Sequence, residues 1–253
     1  MTSPRRIQQQ PAYILHHRPF RDSSQILDIV TRDYGKIAVV ARGSRGSRSR
    51  LAGVLRPFLP LTVSWVARSD LGTLTGAEAA GAPIGLCGDA LLSAFYVNEL
   101  LLNFLHRHDP QPDIYTLYAE VLAALGSSPN IAESLRSFEL RLLSLLGYAV
   151  NVQHESVSRA PLDPARFYEY RMEEGPVPVE RSKGPLVFTG AQLAAIAEQQ
   201  FDDRAILGAA SRLLREVIAH HLGGKELKSR KVLLELHRGR IAPSNERKTE
   251  SER

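Results

Sequence analysis

The sequence changes its hydrophobic period once, at Gly81-Ala82-Pro83, and that change constrains the fold more than any other feature. Before it, apolar residues come in runs of strand length: Tyr13-Ile14-Leu15, Ile26-Leu27-Asp28-Ile29-Val30, Lys36-Ile37-Ala38-Val39-Val40, Leu61-Thr62-Val63-Ser64-Trp65-Val66 and Leu71-Gly72-Thr73-Leu74-Thr75. β-Branched and aromatic side chains of this kind fit a pleated, half-buried surface. Turn chemistry at 19–24 and at Asp33-Tyr34-Gly35 separates the first three runs, and Pro57 and Pro60 mark the start of the fourth. After the break the period becomes helical. Leu91, Phe95, Leu102 and Leu105 lie on one face of 89–106, with Asp89 placed to cap its start. A second helix is expected over 112–125, stopped by Gly126-Ser127-Ser128-Pro129. Asn130 opens a third, in which Leu135, Phe138 and Leu142 face inward before Gly147 ends it.

The chain is therefore read as α+β. Residues 11–80 form a five-stranded module, for which an oligonucleotide-binding (OB-fold) barrel is the natural candidate and an SH3-like barrel the alternative on strand count. Residues 81–240 form a mostly helical domain, interrupted at 150–188 by an irregular insert. Within the insert, 167–173 alternates like a strand and 177–187 is placed to pair with it as a β-hairpin. Further helices are expected over 189–199, 202–221 and 227–238. Residues 1–10 are read as a flexible leader and 241–253 as a disordered tail.

Composition narrows the function classes. The longest run without Asp, Glu, Lys or Arg is 184–197, 14 residues containing Pro185 and two glycines, too short to span a bilayer. The start of the chain has no apolar core of the signal-peptide kind, and Cys87 is the one cysteine, which excludes an internal disulfide and a cysteine zinc finger. The expectation is a cytoplasmic protein. Charge is segregated along the chain: residues 1–50 carry a net of +7, 51–224 a net of −6 and 225–253 a net of +4. Basic ends serve simply as solubilising tails in many proteins, but here the first block lies inside a strand-patterned segment.

Its centre is Arg42-Gly43-Ser44-Arg45-Gly46-Ser47-Arg48-Ser49-Arg50, four arginines in nine residues with no acid. Glycine and serine are expected to leave this loop flexible, so that each guanidinium can find a phosphate, while Lys36, Arg56 and Arg68 extend the positive surface and Arg18 and Arg21 join it from the first turn. Phosphate neutralisation releases counterions whatever the base sequence, so such a surface favours affinity over base reading. The competing reading is a solvated basic loop. Among the aromatics, Phe58 and Trp65 are read as core, whereas Phe20 and Tyr34 are candidate stacking platforms.

No constellation argues for catalysis. His106 and His108 are two apart, and the pairs His16-His17 and His220-His221 point in different directions; none has zinc-ligand spacing. Gly223-Gly224-Lys225 lacks the glycine and Ser/Thr of a phosphate loop at positions 219 and 226. Glu173 and Glu174 are neighbours on an expected strand and face opposite ways, and Cys87 has no evident base beside it.

Several segments resemble the bacterial recombination mediator family RecO. They are 12–20 with Ser23-Ser24, Thr31-Arg32-Asp33-Tyr34-Gly35-Lys36, Ala41-Arg42-Gly43, Leu55-Arg56-Pro57-Phe58-Leu59-Pro60-Leu61, Tyr96-Val97-Asn98-Glu99-Leu100, Arg136-Ser137-Phe138-Glu139-Leu140 and Leu222-Gly223-Gly224-Lys225-Glu226-Leu227-Lys228-Ser229-Arg230. The resemblance spans roughly 12–238 in the family's order. It implies an N-terminal OB-fold barrel on a helical domain, binding to single- and double-stranded DNA, annealing of complementary strands, and work with RecR, with or without RecF, to load RecA. It adds Lys225, Lys228 and Arg230 to the DNA-contacting set. It also implies a site on the helical domain for the acidic C-terminal tail of single-strand-binding protein (SSB), for which Arg136 and then Arg212 are the candidates. Many family members carry a four-cysteine zinc module in the stretch matching 150–188. This chain has no cysteine there, so it resembles the metal-free branch, with no cofactor expected. A basic barrel does not itself distinguish DNA from RNA, so an RNA-binding protein of translation or ribosome maturation stays as the alternative, ahead of a metal-dependent nuclease.

Overall fold

The computed structural model describes residues 5–46, 49–67 and 69–232. Five strands come first: β1 (Arg5–Phe20), β2 (Ser24–Thr31), β3 (Gly35–Ala41), β4 (Leu61–Ala67) and β5 (Leu71–Ala79). They close into a barrel in the order β1-β2-β3-β5-β4, the first and last strands pairing to leave no open edge. All pairings are antiparallel except β3 with β5. Ile14, Leu27, Ile29, Val39, Leu61 and Trp65 fill the interior. This is the five-stranded arrangement expected of an OB fold.

The first strand is longer than its apolar pattern suggests. Residues 5–10 pair with β4, from Arg5 against Ala67 to Gln10 against Val63, so they are barrel and not a loose leader. Polar residues conceal the strand because only Ile7 points into the core. The register breaks between Ile7 and Gln10, where Gln9 takes φ 50° and donates its N–H to Ser64 Oγ at 3.0 Å. Such a bulge lets one long strand serve two partners.

The second domain holds α1 (Gly88–Phe104), α2 (Pro112–Ser127), α3 (Ile131–Leu145), α4 (Gly190–Ala197) and α5 (Arg204–His221). Between α3 and α4 stand β6 (Phe167–Arg171), β7 (Gly175–Val179) and β8 (Val187–Thr189), ordered β7-β6-β8. The expected hairpin is thus a three-stranded sheet, because Val187 pairs with Glu169 on the edge of β6 away from β7. Thr189 begins α4 with a reciprocal capping box to Gln192, and Asp203 caps α5 through the N–H of Ala205. Asp89 does not cap α1; Cys87, exposed, holds that position and Asp89 lies in the first turn. A final helical stretch begins at 228 and is described to 232, so the rest of the expected 227–238 helix and the expected tail lie outside the described residues. None of the helices is long and apolar enough to cross a membrane, among the described residues.

The two domains share one core. Tyr13, Leu15 and Val30, on the outer face of the barrel, join the apolar cluster of the helical domain. Phe58, in the connection between β3 and β4, stacks edge-on against Phe95 of α1, while Leu55 and Leu59 beside it plug the barrel. Polar groups complete the seam. Asn98 donates to the Leu15 carbonyl at 2.8 Å, the His108 N–H donates to the Lys36 carbonyl at 3.0 Å, and Arg107 reaches Asp28 at 3.5 Å. Gly35, at φ 66°, abuts the Asp109 backbone so closely that a Cβ would lie 2.0 Å from its carbonyl oxygen.

Candidate nucleic-acid interface

The seam consumes the end of the barrel that carries the β2–β3 turn, and the basic loop emerges from the other end. Ser24 opposes Phe20, and Gln25 opposes Ala41, so Arg42 leaves β3 beside the β1–β2 turn that carries Arg21. The loop is not a free Gly/Ser arm. Ser44 is buried and donates its hydroxyl to the Ala41 carbonyl at 2.9 Å, and the Arg45 N–H donates to the Ser23 carbonyl at 2.9 Å. Gly43, at φ 64°, supplies the left-handed residue of this turn. The Ser49 N–H then donates to the Gly46 carbonyl at 2.9 Å, and a reverse turn runs from Ser49 to Ala52. Small residues here make tight turns that hold Arg42 and Arg45 apart and outward.

Arg18, Arg21, Arg42, Arg45, Arg50 and Arg56 are exposed, and no carboxylate among the described residues lies within ion-pair distance of any of them. The barrel's arginine pairings are elsewhere: Arg32 with its neighbour Asp33, and Asp28 with Arg107 of the seam. Asp22, exposed in the β1–β2 turn, is the acid closest in sequence to this set. Arg48 and Arg68 lie outside the described residues.

Lys36 is a correction to the positive surface. Its Nζ donates to the Leu102 carbonyl at 2.7 Å inside the seam. Burial, then the charges of Arg107 and Lys225, outweigh Asp28 and hold the ammonium below its ordinary pKa. There it offsets the negative carbonyl end of α1. The candidate platforms are also engaged. Tyr34 packs edge-on against Trp65 with 5.3 Å between centroids, and the Arg5 guanidinium sits 5.2 Å from its ring. Phe20 packs against Ile26, Ala38 and Val40, with the Arg21 guanidinium 5.2 Å from its ring. Both rings are half-buried. Phe58 and Trp65 are buried in the core.

The C-terminal candidates divide. Lys225 donates to Asn103 Oδ1 at 2.6 Å, Lys228 is exposed, and Arg230 is half-buried with its pKa lowered by burial and by Arg215. Their segment is anchored by Glu99, whose carboxylate accepts from the Lys228 N–H at 2.9 Å, the Ser229 N–H at 2.8 Å and the Ser229 hydroxyl at 2.6 Å. A carboxylate capping the first turn of the final helical stretch is a role that no local spacing signals, because the two partners are 130 residues apart.

Arg136 is not a free surface cation either. Its side chain is 14% exposed and its Nη2 donates to Glu139 Oε1 at 2.6 Å. The Tyr96 hydroxyl donates to the same oxygen at 2.6 Å, while Glu139 Oε2 and Arg136 Nε have no hydrogen-bond partner among the described residues. Burial raises the Glu139 carboxyl above its usual range against the pull of Arg136 and Tyr96. Beside this cluster opens a groove of about 440 Å³ between α5 and the final helical stretch, lined by Tyr96, Ile218, Leu222 and Leu227 with Arg215 and Arg230. Arg215, which the sequence does not single out, stands in that groove. Arg212 does not; its guanidinium lies 5.1 Å from the ring of Phe188.

Family comparison covers both halves. A family model described as Recombination protein O N terminal matches residues 5–83, and one described as Recombination protein O C terminal matches 88–231. The chain belongs to the RecO family. Its gap between matched segments falls where the hydrophobic period changes, and the RecO N-terminal match begins at Arg5, the first residue of β1. A curated relative from Nitrosococcus oceani is 43% identical over 245 residues, covering 96% of this chain and 99% of the relative. Relatives from Methylococcus capsulatus and Photobacterium profundum are 41% and 39% identical, covering 90% and 89% of this chain and 94% and 95% of their own lengths. All three carry the name DNA repair protein RecO, and membership of RecO sets the chain among proteins of DNA repair and recombination.

Proposed function

We propose that this chain is a non-enzymatic mediator that binds single- and double-stranded DNA on its barrel, anneals complementary strands and, with RecR, helps load RecA onto SSB-coated single strands. The exposed guanidinium groups of Arg18, Arg21, Arg42, Arg45, Arg50 and Arg56, without a carboxylate partner among the described residues, carry the reading. Two DNA strands repel through their phosphates; a cationic surface lowers that repulsion while base pairing supplies the driving force. No bond is made or broken on the protein. Annealing of two complementary oligonucleotides, followed without ATP or metal, tests it. Acceleration is expected. A preference for RNA strands favours the alternative of an RNA-binding protein, and strand cleavage on adding magnesium overturns the non-enzymatic reading.

The SSB tail is proposed to dock in the groove between α5 and the final helical stretch, where apolar walls meet arginines. Arg136 supports that wall from behind through Glu139 and Tyr96, and Arg215 and Arg230 stand in the groove with Lys225 and Lys231, outnumbering the acids Glu216 and Glu226 there. A peptide of acidic residues ending in phenylalanine is expected to lose about tenfold or more in affinity with Arg215→Ala, in the range of a charge-assisted hydrogen bond. Arg212→Ala, away from the groove, is expected to bind as the parent does. The reverse pattern in a titration of that peptide rejects the groove.

A further inference from the structure

The ends of three helices meet at the seam around a pair of stacked rings that belong neither to the basic loop nor to the groove. Tyr148 and His221 lie face to face, 4.1 Å between centroids and 17° between planes. Both are fixed by helix C-terminal turns. Gly147, at φ 83°, lets the Tyr148 N–H donate to the Leu143 carbonyl at 2.8 Å, and Gly223, at φ 64°, lets the Gly224 N–H donate to the Ala219 carbonyl at 2.8 Å. Six-to-one bonds behind a left-handed glycine stop a helix sharply and set the direction in which the chain leaves it. Phe104, at the end of α1, backs Tyr148 with 6.4 Å between centroids. Tyr148 nevertheless stays 43% exposed, a large ring held open to solvent.

One cation is tied close to this pair. Lys225, four residues beyond His221, is held by Asn103, the neighbour of Phe104. Its charge acts on Lys36, as does that of Arg107, so three basic groups crowd the carbonyl end of α1. The nearby acid Glu173 is engaged by His220 at 3.1 Å. Burial lowers the His221 pKa, the adjacent His220 adds to it, and Glu173 pulls against them. An exposed π-surface with an ammonium group nearby suits an unpaired base, and accepts any base because each has a π-face.

We propose that the Tyr148–His221 stack, with Lys225 held nearby on Asn103, is a second contact for single-stranded nucleic acid, receiving a base of a strand that runs from the barrel onto the helical domain. The inference rests on the DNA-binding reading of the barrel and adds the route across the seam. Binding to a thymidine oligonucleotide longer than the roughly 4–16 nucleotides that one barrel covers is compared with an abasic strand of equal length. Tyr148→Ala is expected to weaken binding of the base-bearing strand by about 5- to 150-fold, with the abasic strand and the salt slope unchanged. Tyr148→Phe, which keeps the π-face, is expected to bind as the parent does. An equal loss on both strands, or no loss, overturns the proposal. If Tyr148→Ala does not fold, His221→Ala decides by the same comparison. A loss of affinity in an Arg42/Arg45/Arg50 variant alongside an unaffected Tyr148→Ala removes the seam contact and leaves the DNA-binding reading standing. No loss in either variant removes both.

Discussion

Replacing Arg42, Arg45 and Arg50 together with alanine is expected to weaken single-strand binding by about 100-fold at 0.1 M salt, whatever the base sequence, shrinking to about tenfold at 0.3 M. Each guanidinium that neutralises a phosphate releases about 0.7 of a counterion from a single strand, so three lost contacts lower the slope of log affinity against log salt by about 2. The charge-assisted bonds themselves are worth little extra at an exposed site, where water and ions compete. The three residues are exposed and the turns holding them depend on Ser44, Gly43 and backbone bonds, so the triple variant retains its fold and its thermal midpoint. Fluorescence anisotropy of a labelled strand at four or five salt concentrations reads the slope directly. A parental slope in the variant means that the phosphates sit elsewhere, and the basic loop is then a solvated surface.

The fold was legible wherever side chains announce burial, and it was hidden wherever they do not. Five apolar runs mark the barrel strands, and the period change at Gly81-Ala82-Pro83 marks the domain boundary. The first half of β1 escaped because Gln8, Gln9 and Gln10 offer no apolar alternation, although the backbone on either side of the bulge, from Arg5 to Ile7 and at Gln10, pairs with β4. β8 escaped because three residues cannot establish a period, and their pairing with β6 is a tertiary fact. For the candidate interface, composition located the arginine loop and mistook the purpose of its small residues, which form turns instead of slack. Lys36 illustrates a different limit. A basic residue in a strand of a basic module reads as surface until the second domain is placed against it, and that placement is set by contacts 66 residues away. Arg136 fails the same way: its spacing to Glu139 is visible as an i, i+3 pair, but the burial that makes the pair structural is not.

Asn98→Ala is expected to destabilise the protein by about 2–5 kcal/mol, a large share of the roughly 5–15 kcal/mol that holds a domain folded. Asn98 is 2% exposed and serves two buried groups at once: its amide nitrogen donates to the Leu15 carbonyl at 2.8 Å, and its oxygen accepts the Tyr118 hydroxyl at 2.6 Å. Removing it strands a carbonyl and a hydroxyl in an apolar seam, each costing about 1–3 kcal/mol, and no rearrangement reaches water because Tyr118 is packed against Tyr13. The neighbours explain why this stretch of α1 is so dense in function. Tyr96 serves Glu139 on α3, Asn98 ties the barrel, and Glu99 caps the final helical stretch, so three closely spaced contacts radiate from one helix into the rest of the molecule. Asn98→Asp is expected to be at least as harmful, because it still accepts from Tyr118 but turns a carboxylate oxygen toward the Leu15 carbonyl. Urea unfolding measures the loss as a lower midpoint, and amide exchange at the strand around Leu15 is expected to quicken with it. The salt slope of DNA binding is expected to stay parental under folding conditions, since the basic loop and the seam occupy opposite ends of β2 and β3. An Asn98→Ala protein with the parental midpoint means that the barrel is held by apolar contacts alone and the polar latch is ornamental.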